Sequence, residues 1–167
     1  NCNWFLITLG CRRGLTFLEQ QSEVDGKRLG IRGHSMGGNL TMYVAGSDSR
    51  VKVASPSVGG SGYRTYARYG LLPQIRKVKG NLELFRRTMG YQFYAPRITA
   101  PLLHLGASND FHGQMDATYA TGAKVKKTVP QRFVFAPHFN HRFYPEQQVS
   151  RILWLDQHLK GGVKLPE

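Results

Sequence analysis

Over the first twenty positions, apolar residues return at three- and four-residue steps: Trp4, Ile7, Cys11, Leu15 and Leu18. That spacing predicts a helix capped by Asn3 and fading near Gln21, before the Asp25-Gly26 turn. Arg28 to His34 then reads as a short strand, and Gly37 to Ala45 as a helix carrying Leu40, Met42 and Val44. Further strands are expected at Val51–Ala54, Ala100–Gly106 and Arg132–Phe135, with a moderately helical stretch from Gln114 to Lys127. In the last helix Pro145 suits the first turn, Val149, Ile152, Leu153, Leu155 and Leu159 form the apolar stripe, and Gly161 ends it. Strands alternating with helices predict an α/β fold, a parallel sheet flanked by helices, in a single domain over residues 1–167. Residues 59–97 interrupt the alternation after the second strand and hold five of the eight tyrosines (Tyr63, Tyr66, Tyr69, Tyr91 and Tyr94). A segment of that length is expected to form a cap over one end of the sheet.

Composition narrows the function classes. With 167 residues, 41% hydrophobic and 20% charged, the chain is of globular type. No run approaches the roughly 18 apolar residues of a membrane span, so no membrane partner is expected. Two cysteines, Cys2 and Cys11, make neither a disulfide framework nor a zinc spacing. The net charge is +13, and between Arg50 and Arg97 ten basic residues face one acid, Glu83. Such an excess attracts polyanions, but no nucleic-acid-binding module accompanies it. A solvated basic face or a pocket for an acidic ligand is the preferred reading over nucleic acid.

The chemistry concentrates in Gly33-His34-Ser35-Met36-Gly37-Gly38. A G-x-S-x-G run between a strand and a helix is a nucleophile elbow: the serine sits on a strained turn, with Gly33 and Gly37 where the two backbones approach. The five-residue pattern alone is weak, and its place after an apolar strand and before a helix gives it weight. The backbone N–H of Met36 is then a candidate oxyanion donor. A serine needs a base and an orienting acid, in the chain order Ser, Asp, His for such sheets. Asp110, four residues after the third strand, is the candidate acid. Asp116 competes but falls within a helical stretch. After the fourth strand His138 and His141 both present imidazoles, and His141, nearer the final helix, is the preferred base. His34, Tyr63, Tyr66 and His138 are candidate pocket residues. The spacings of Asp110, His112, Asp116, His138 and His141 match no H-x-x-x-H or H-E-x-x-H zinc face, so no metal and no cofactor is expected. His34 and His104 read as packing or sheet-end residues rather than ligands.

These residues resemble the α/β-hydrolase fold, and within it the group joining dienelactone hydrolase-like, acetyl xylan esterase-like and prolyl-oligopeptidase-like catalytic domains. The similar stretches are Leu15–Glu19 through Val24-Asp25, Arg28 into the Gly33–Gly38 elbow, Ile98–Leu103 with Asn109-Asp110, Asn140-His141, and Trp154–Gly161. The resemblance implies a serine hydrolase with Ser35 as nucleophile, His141 as base and Asp110 as orienting acid. It implies acetyl or other short acyl esters of carbohydrate-like alcohols as substrates. A prolyl-oligopeptidase-type peptidase and a non-catalytic basic binding domain are the alternatives. The elbow comes unusually early, which implies the second half of a longer hydrolase, lacking the loop that supplies the other oxyanion donor. An unpaired edge on the first strand is then expected to favour self-association.

Overall fold

The computed structural model describes residues 3–60 and 81–166. Cys2, Tyr63, Arg64, Tyr66, Arg68 and Tyr69 lie outside the described residues, as does most of the expected cap. The described elements run α1 (Asn3–Glu19), β1 (Leu29–His34), α2 (Met36–Ala45), β2 (Val51–Ser57), α3 (Leu82–Met89), α4 (Tyr91–Tyr94), a 3-10 turn (Ala95–Arg97), β3 (Leu102–Ala107), α5 (Met115–Gly122), β4 (Gln131–Ala136) and α6 (Pro145–Lys160). Each expected strand and helix is present, with ends that coincide or move by up to five residues.

The four strands are parallel in the order β1-β2-β3-β4, so β1 and β4 are the edges of the described sheet. Alternation along the strands splits the core in two. On one face Leu29, Val51, Ala54 and Leu102 meet Leu15 of α1 and Leu40, Tyr43 and Val44 of α2. On the other, Val53, Leu103 and Leu105 meet Trp154 of α6, with Leu155 and Leu159 partly buried beside it. A Cβ on Gly30 would stand 3.0 Å from Val53 and 3.2 Å from Leu159, so its bare backbone lets α6 lie close over β1.

The stripe expected for α6 fails at three of its five positions. Val149, Ile152 and Leu153 are exposed, whereas Gln147, Arg151 and Trp154 are the buried positions. Gln147 is buried because its amide is satisfied: Nε2 donates to Gly106 O at 2.7 Å and Val134 O at 3.0 Å, tying the first turn of α6 to β3 and β4. On α1 the buried residues are Thr8 and Leu15, while Phe5, Leu6, Phe17 and Leu18 are exposed.

The described end of the segment expected to form a cap packs against α2. Tyr91 stacks on Tyr43 (centroids 4.9 Å), Tyr94 meets the same ring edge-on, and Tyr43 Oη donates to Met89 O. These two tyrosines build core. Arg50, at the head of the basic stretch, is ion-paired to Asp48 and Glu19, and Arg12 also reaches Asp48. Those guanidiniums hold the Asp48 carboxyl well below its usual range. Among the described residues no helix is long and apolar enough to cross a membrane.

Candidate active site

Ser35 sits between the last residue of β1 and the first of α2, with φ 55° and ψ −114°, a backbone conformation that non-glycine residues rarely adopt. Its N–H donates to Ser57 O on β2 at 2.9 Å, so the neighbouring strand fixes the turn. A Cβ on Gly33 would overlap the Gly37 backbone, and one on Gly38 would stand 2.5 Å from Ser57 O. At Gly37 itself an added Cβ meets nothing within 4 Å. The expectation that Gly33 and Gly37 are the two obligatory glycines is therefore corrected to Gly33 and Gly38. The close approach is of the Gly37 backbone to position 33, and it leaves open space on the Gly37 side chain's own side.

Three side chains from three loops form one hydrogen-bonded chain. Ser35 Oγ lies 2.7 Å from His141 Nε2, and His141 Nδ1 lies 3.1 Å from both carboxyl oxygens of Asp110. The Asp110 side chain is fully buried, and its Oδ1 also accepts the N–H groups of His112 at 2.7 Å and Gly113 at 2.8 Å. Asp110 thus closes its own turn and faces His141 at once. With Nδ1 donating to the carboxylate, Nε2 carries the lone pair that faces the hydroxyl.

The loops are pinned by Ser108 and Asn109, side chains to which the sequence reading gave no role. Asn109 Oδ1 accepts the Asn140 N–H at 2.7 Å, and Ser108 Oγ accepts the His138 N–H at 3.2 Å. Both His138 and Asn140 have positive φ, 53° and 54°, so the loop turns sharply just before His141. The adjacent polar pair Ser108-Asn109 before Asp110 was the available signal, but its partner 31 residues away was not readable.

Other expected site residues fall as follows. His34 is at the wall of the site, its ring 5.6 Å from that of His141 and its Nδ1 3.2 Å from Ser57 Oγ. His138 is exposed, and its tie to the site is the backbone N–H to Ser108. Asp116 lies in the first turn of α5, its Oδ1 accepting the Ala117 N–H. Tyr63 and Tyr66 lie outside the described residues. Phe111 and His112 complete the rim, with ring centroids 5.0 and 5.5 Å from His141, and Phe111 and Met36 are exposed. Burial pushes the imidazoles of His34 and His112 below the usual range, and the proximity of the His141 ring adds to this. Met36 is the first residue of α2, so its N–H has no carbonyl partner within the helix and stands at the positive end of the dipole.

Comparison with known proteins gives a family. The model of the prolyl oligopeptidase family matches residues 11–162. The acetyl esterase Axe7A of Xylanibacter ruminicola is 26% identical over 161 residues, covering 92% of this chain and 36% of that protein. Among solved structures, the acetyl xylan esterase from Paenibacillus sp. R4 superposes with a TM-score of 0.72 at 23% identity, covering 92% of this chain and 52% of that one. The acylaminoacyl peptidase of Pyrococcus horikoshii gives 0.71 at 22%, covering 91% and 27%. These structures share the fold, and the chain spans about half or less of the length of each relative.

Proposed function

The chain belongs to the prolyl oligopeptidase family, and from that premise we propose that it carries the reacting centre of a serine hydrolase acting on short acyl esters. The observation that carries the reading is the unbroken run from Ser35 Oγ through His141 to Asp110. In this reading Ser35 Oγ attacks the ester carbonyl while His141 Nε2 takes its proton. Asp110 holds the Nδ1–H tautomer and stabilises the imidazolium. The Met36 N–H donates to the developing oxyanion, and a second donor comes from elsewhere in the protein. His141 then protonates the leaving alcohol, and an activated water releases the acid and regenerates Ser35.

The names of the acetyl esterase and the acetyl xylan esterase support an acetyl group on a carbohydrate-like alcohol as substrate. The family and the acylaminoacyl peptidase likeness favour a second reading, cleavage of a peptide or acyl-amino-acid bond. Labelling of the full-length protein by a fluorophosphonate at Ser35, abolished in Ser35→Ala, tests the centre itself. Relative kcat/KM on acetylated sugars, aryl acetates and proline peptides separates the two readings. Absence of labelling would leave the fold as a binding domain.

A further inference from the structure

A short strap of backbone, Ser57 to Gly60, touches the turn of the nucleophile on one side and the turn of the acid on the other. On the elbow side, Ser57 O accepts the Ser35 N–H at 2.9 Å. A Cβ on Gly59 would stand 2.4 Å from Ser35 O and 2.9 Å from Asn39 N, so the two backbones are in contact there. The Gly60 N–H, at a residue with φ 80°, donates to Asn39 Oδ1 at 2.6 Å in a buried bond. On the acid side, the Val58 N–H donates to Leu105 O of β3 at 2.8 Å. A Cβ on Gly113 would stand 2.6 Å from the Val58 carbonyl carbon, and the Gly113 N–H is one of the two that Asp110 Oδ1 accepts.

Val58 is the costly point of the strap. Its φ is 46°, in the left-handed region that a β-branched residue rarely enters, and it is 2% exposed. Backbone strain of this kind persists only where the surroundings over-determine it, and it gathers at functional sites. Here Leu105 and Gly113 hold Val58 from the acid side, while the elbow holds Ser57 and Gly59. The far end is fixed by a side chain: Asn39 of α2 is 5% exposed, and its Oδ1 answers Gly60.

We propose that Asn39 is a positioning residue: by holding Gly60 it locks the strap in the strained form that keeps the Ser35 elbow in register with the Asp110 turn. It acts through the strap and not on the reacting atoms. Without Oδ1 the buried Gly60 N–H is left unsatisfied, which favours a displaced strap in which that donor reaches water. Val58 then relaxes out of the left-handed region, and the backbone against which Gly113 packs moves with it. The catalytic consequence rests on the proposed hydrolase reading, whereas the coupling of the two turns does not.

The test combines hydrogen exchange, read by peptide mass spectrometry, with fluorophosphonate labelling of the full-length protein. Asn39→Leu keeps the volume and removes the acceptor. Thr41→Val is the control, since Thr41 is buried in the same helix and its Oγ1 donates to Gly37 O, not to the strap. In Asn39→Leu, amides at 57–60 should exchange about tenfold faster and those at 110–113 several-fold faster, beyond any rise shared by β3 and α6. The maximal labelling rate should fall about tenfold with the half-saturating probe concentration unchanged, because geometry and not binding is lost. Thr41→Val should show neither change. Should Asn39→Leu fail to fold, Asn39→Ala, which leaves room for water at the Gly60 N–H, is read in the same way. The proposal is overturned if the excess exchange stops at residue 60, if exchange rises uniformly, or if the wild type labels and the variant labels as fast. A wild type that does not label would end the hydrolase reading instead, and the exchange at 110–113 alone would then support or overturn the lock.

Discussion

Asp110 and Arg151 flank the His141 loop at nearly the same exposure, 5% and 6%, yet their hydrogen bonding differs completely. The Asp110 carboxyl accepts two backbone N–H groups and faces the His141 Nδ1, all from within the described chain. Arg151 has an aromatic ring on one side and two nitrogens without partners. The acid side of the centre is therefore closed by local sequence, through a turn at residues 110–113 and a loop at 138–141. The α6 side is not closed in this way, since Arg151 Nε and Nη2 find no hydrogen-bond partner among the described residues. Chemistry that depends on Asp110 should be robust to everything outside these residues, whereas chemistry that depends on Arg151 should not.

The largest effect expected is at the closed side. In the full-length protein Ser35→Ala and His141→Ala should each lower ester turnover by about 10⁴-fold or more, and combining them should add little. Asp110→Asn should also cost about 10⁴-fold while leaving a folded protein, because Asn Oδ1 can still accept the turn N–H groups. Steady-state kinetics beside a thermal melt would check this. A large loss of Tm in Asp110→Asn, with turnover retained, would mean that the carboxylate serves the turn rather than the imidazole.

The next effect separates glycines that the motif treats alike. Gly33→Ala places a methyl into the Gly37 backbone and should cost about 3–5 kcal/mol, enough to unfold a marginal domain. Gly37→Ala meets open space on a helix and should be neutral or stabilising by up to about 1 kcal/mol. Denaturant midpoints of the two variants decide it. Equal destabilisation would show that Gly37, too, is held by its surroundings.

Much of the fold was legible because alternation and turn residues are local signals, and the strand–turn–helix run could be placed from Arg28 to Ala45 alone. Chain order and nearness to the last helix pointed to Ser35, Asp110 and His141, and the fold brings these three side chains within hydrogen-bonding distance. What was not legible depended on partners distant in sequence. Apolar residues surround α6, so counting them could not pick its buried face, and the deciding group was Gln147 reaching the carbonyls of Gly106 and Val134. Tyr91 and Tyr94 belong to the segment expected to cap the sheet, and they fill space against Tyr43. The obligatory glycine after the elbow is Gly38, because β2 passes under it.

A third buried group sharpens the contrast with Arg151. His104 is 2% exposed, stacked on Phe133 at 4.6 Å, with Gln131 at its Nε2. Unlike an arginine it can escape the cost of a buried charge by staying neutral, and burial pushes its pKa down to about 4. Because the folded pKa lies below the unfolded value of about 6.5, the unfolded chain binds the proton first. Stability is then whole above pH 6.5 and falls as the pH drops toward 4, by about 3 kcal/mol in all. His104→Phe should flatten that limb while keeping the stack. Chemical denaturation at pH 7 and pH 4.5 would show it, and an unchanged slope in the variant would assign the acid limb to other groups.

The smallest effect probes what holds the closed side together. Asn109 Oδ1 accepts the Asn140 N–H at 2.7 Å, immediately before His141 in a loop whose backbone is already in the left-handed region at two positions. Asn109→Ala removes that acceptor without touching Ser35, His141 or Asp110. The Asn140 N–H is exposed and can turn to water, so the cost in stability should stay near 1 kcal/mol. Catalysis should suffer more than stability suggests, because a loop free to move by a fraction of an ångström spends less time with His141 Nε2 within reach of Ser35. About a tenfold drop in the rate of fluorophosphonate labelling is expected, with Tm lowered by only a few degrees. Asn109→Asp keeps the acceptor oxygen and should recover most of that rate. A labelling rate unchanged in Asn109→Ala would show that Asp110 and Gln147 position the base by themselves, and that the tie between the two loops is incidental.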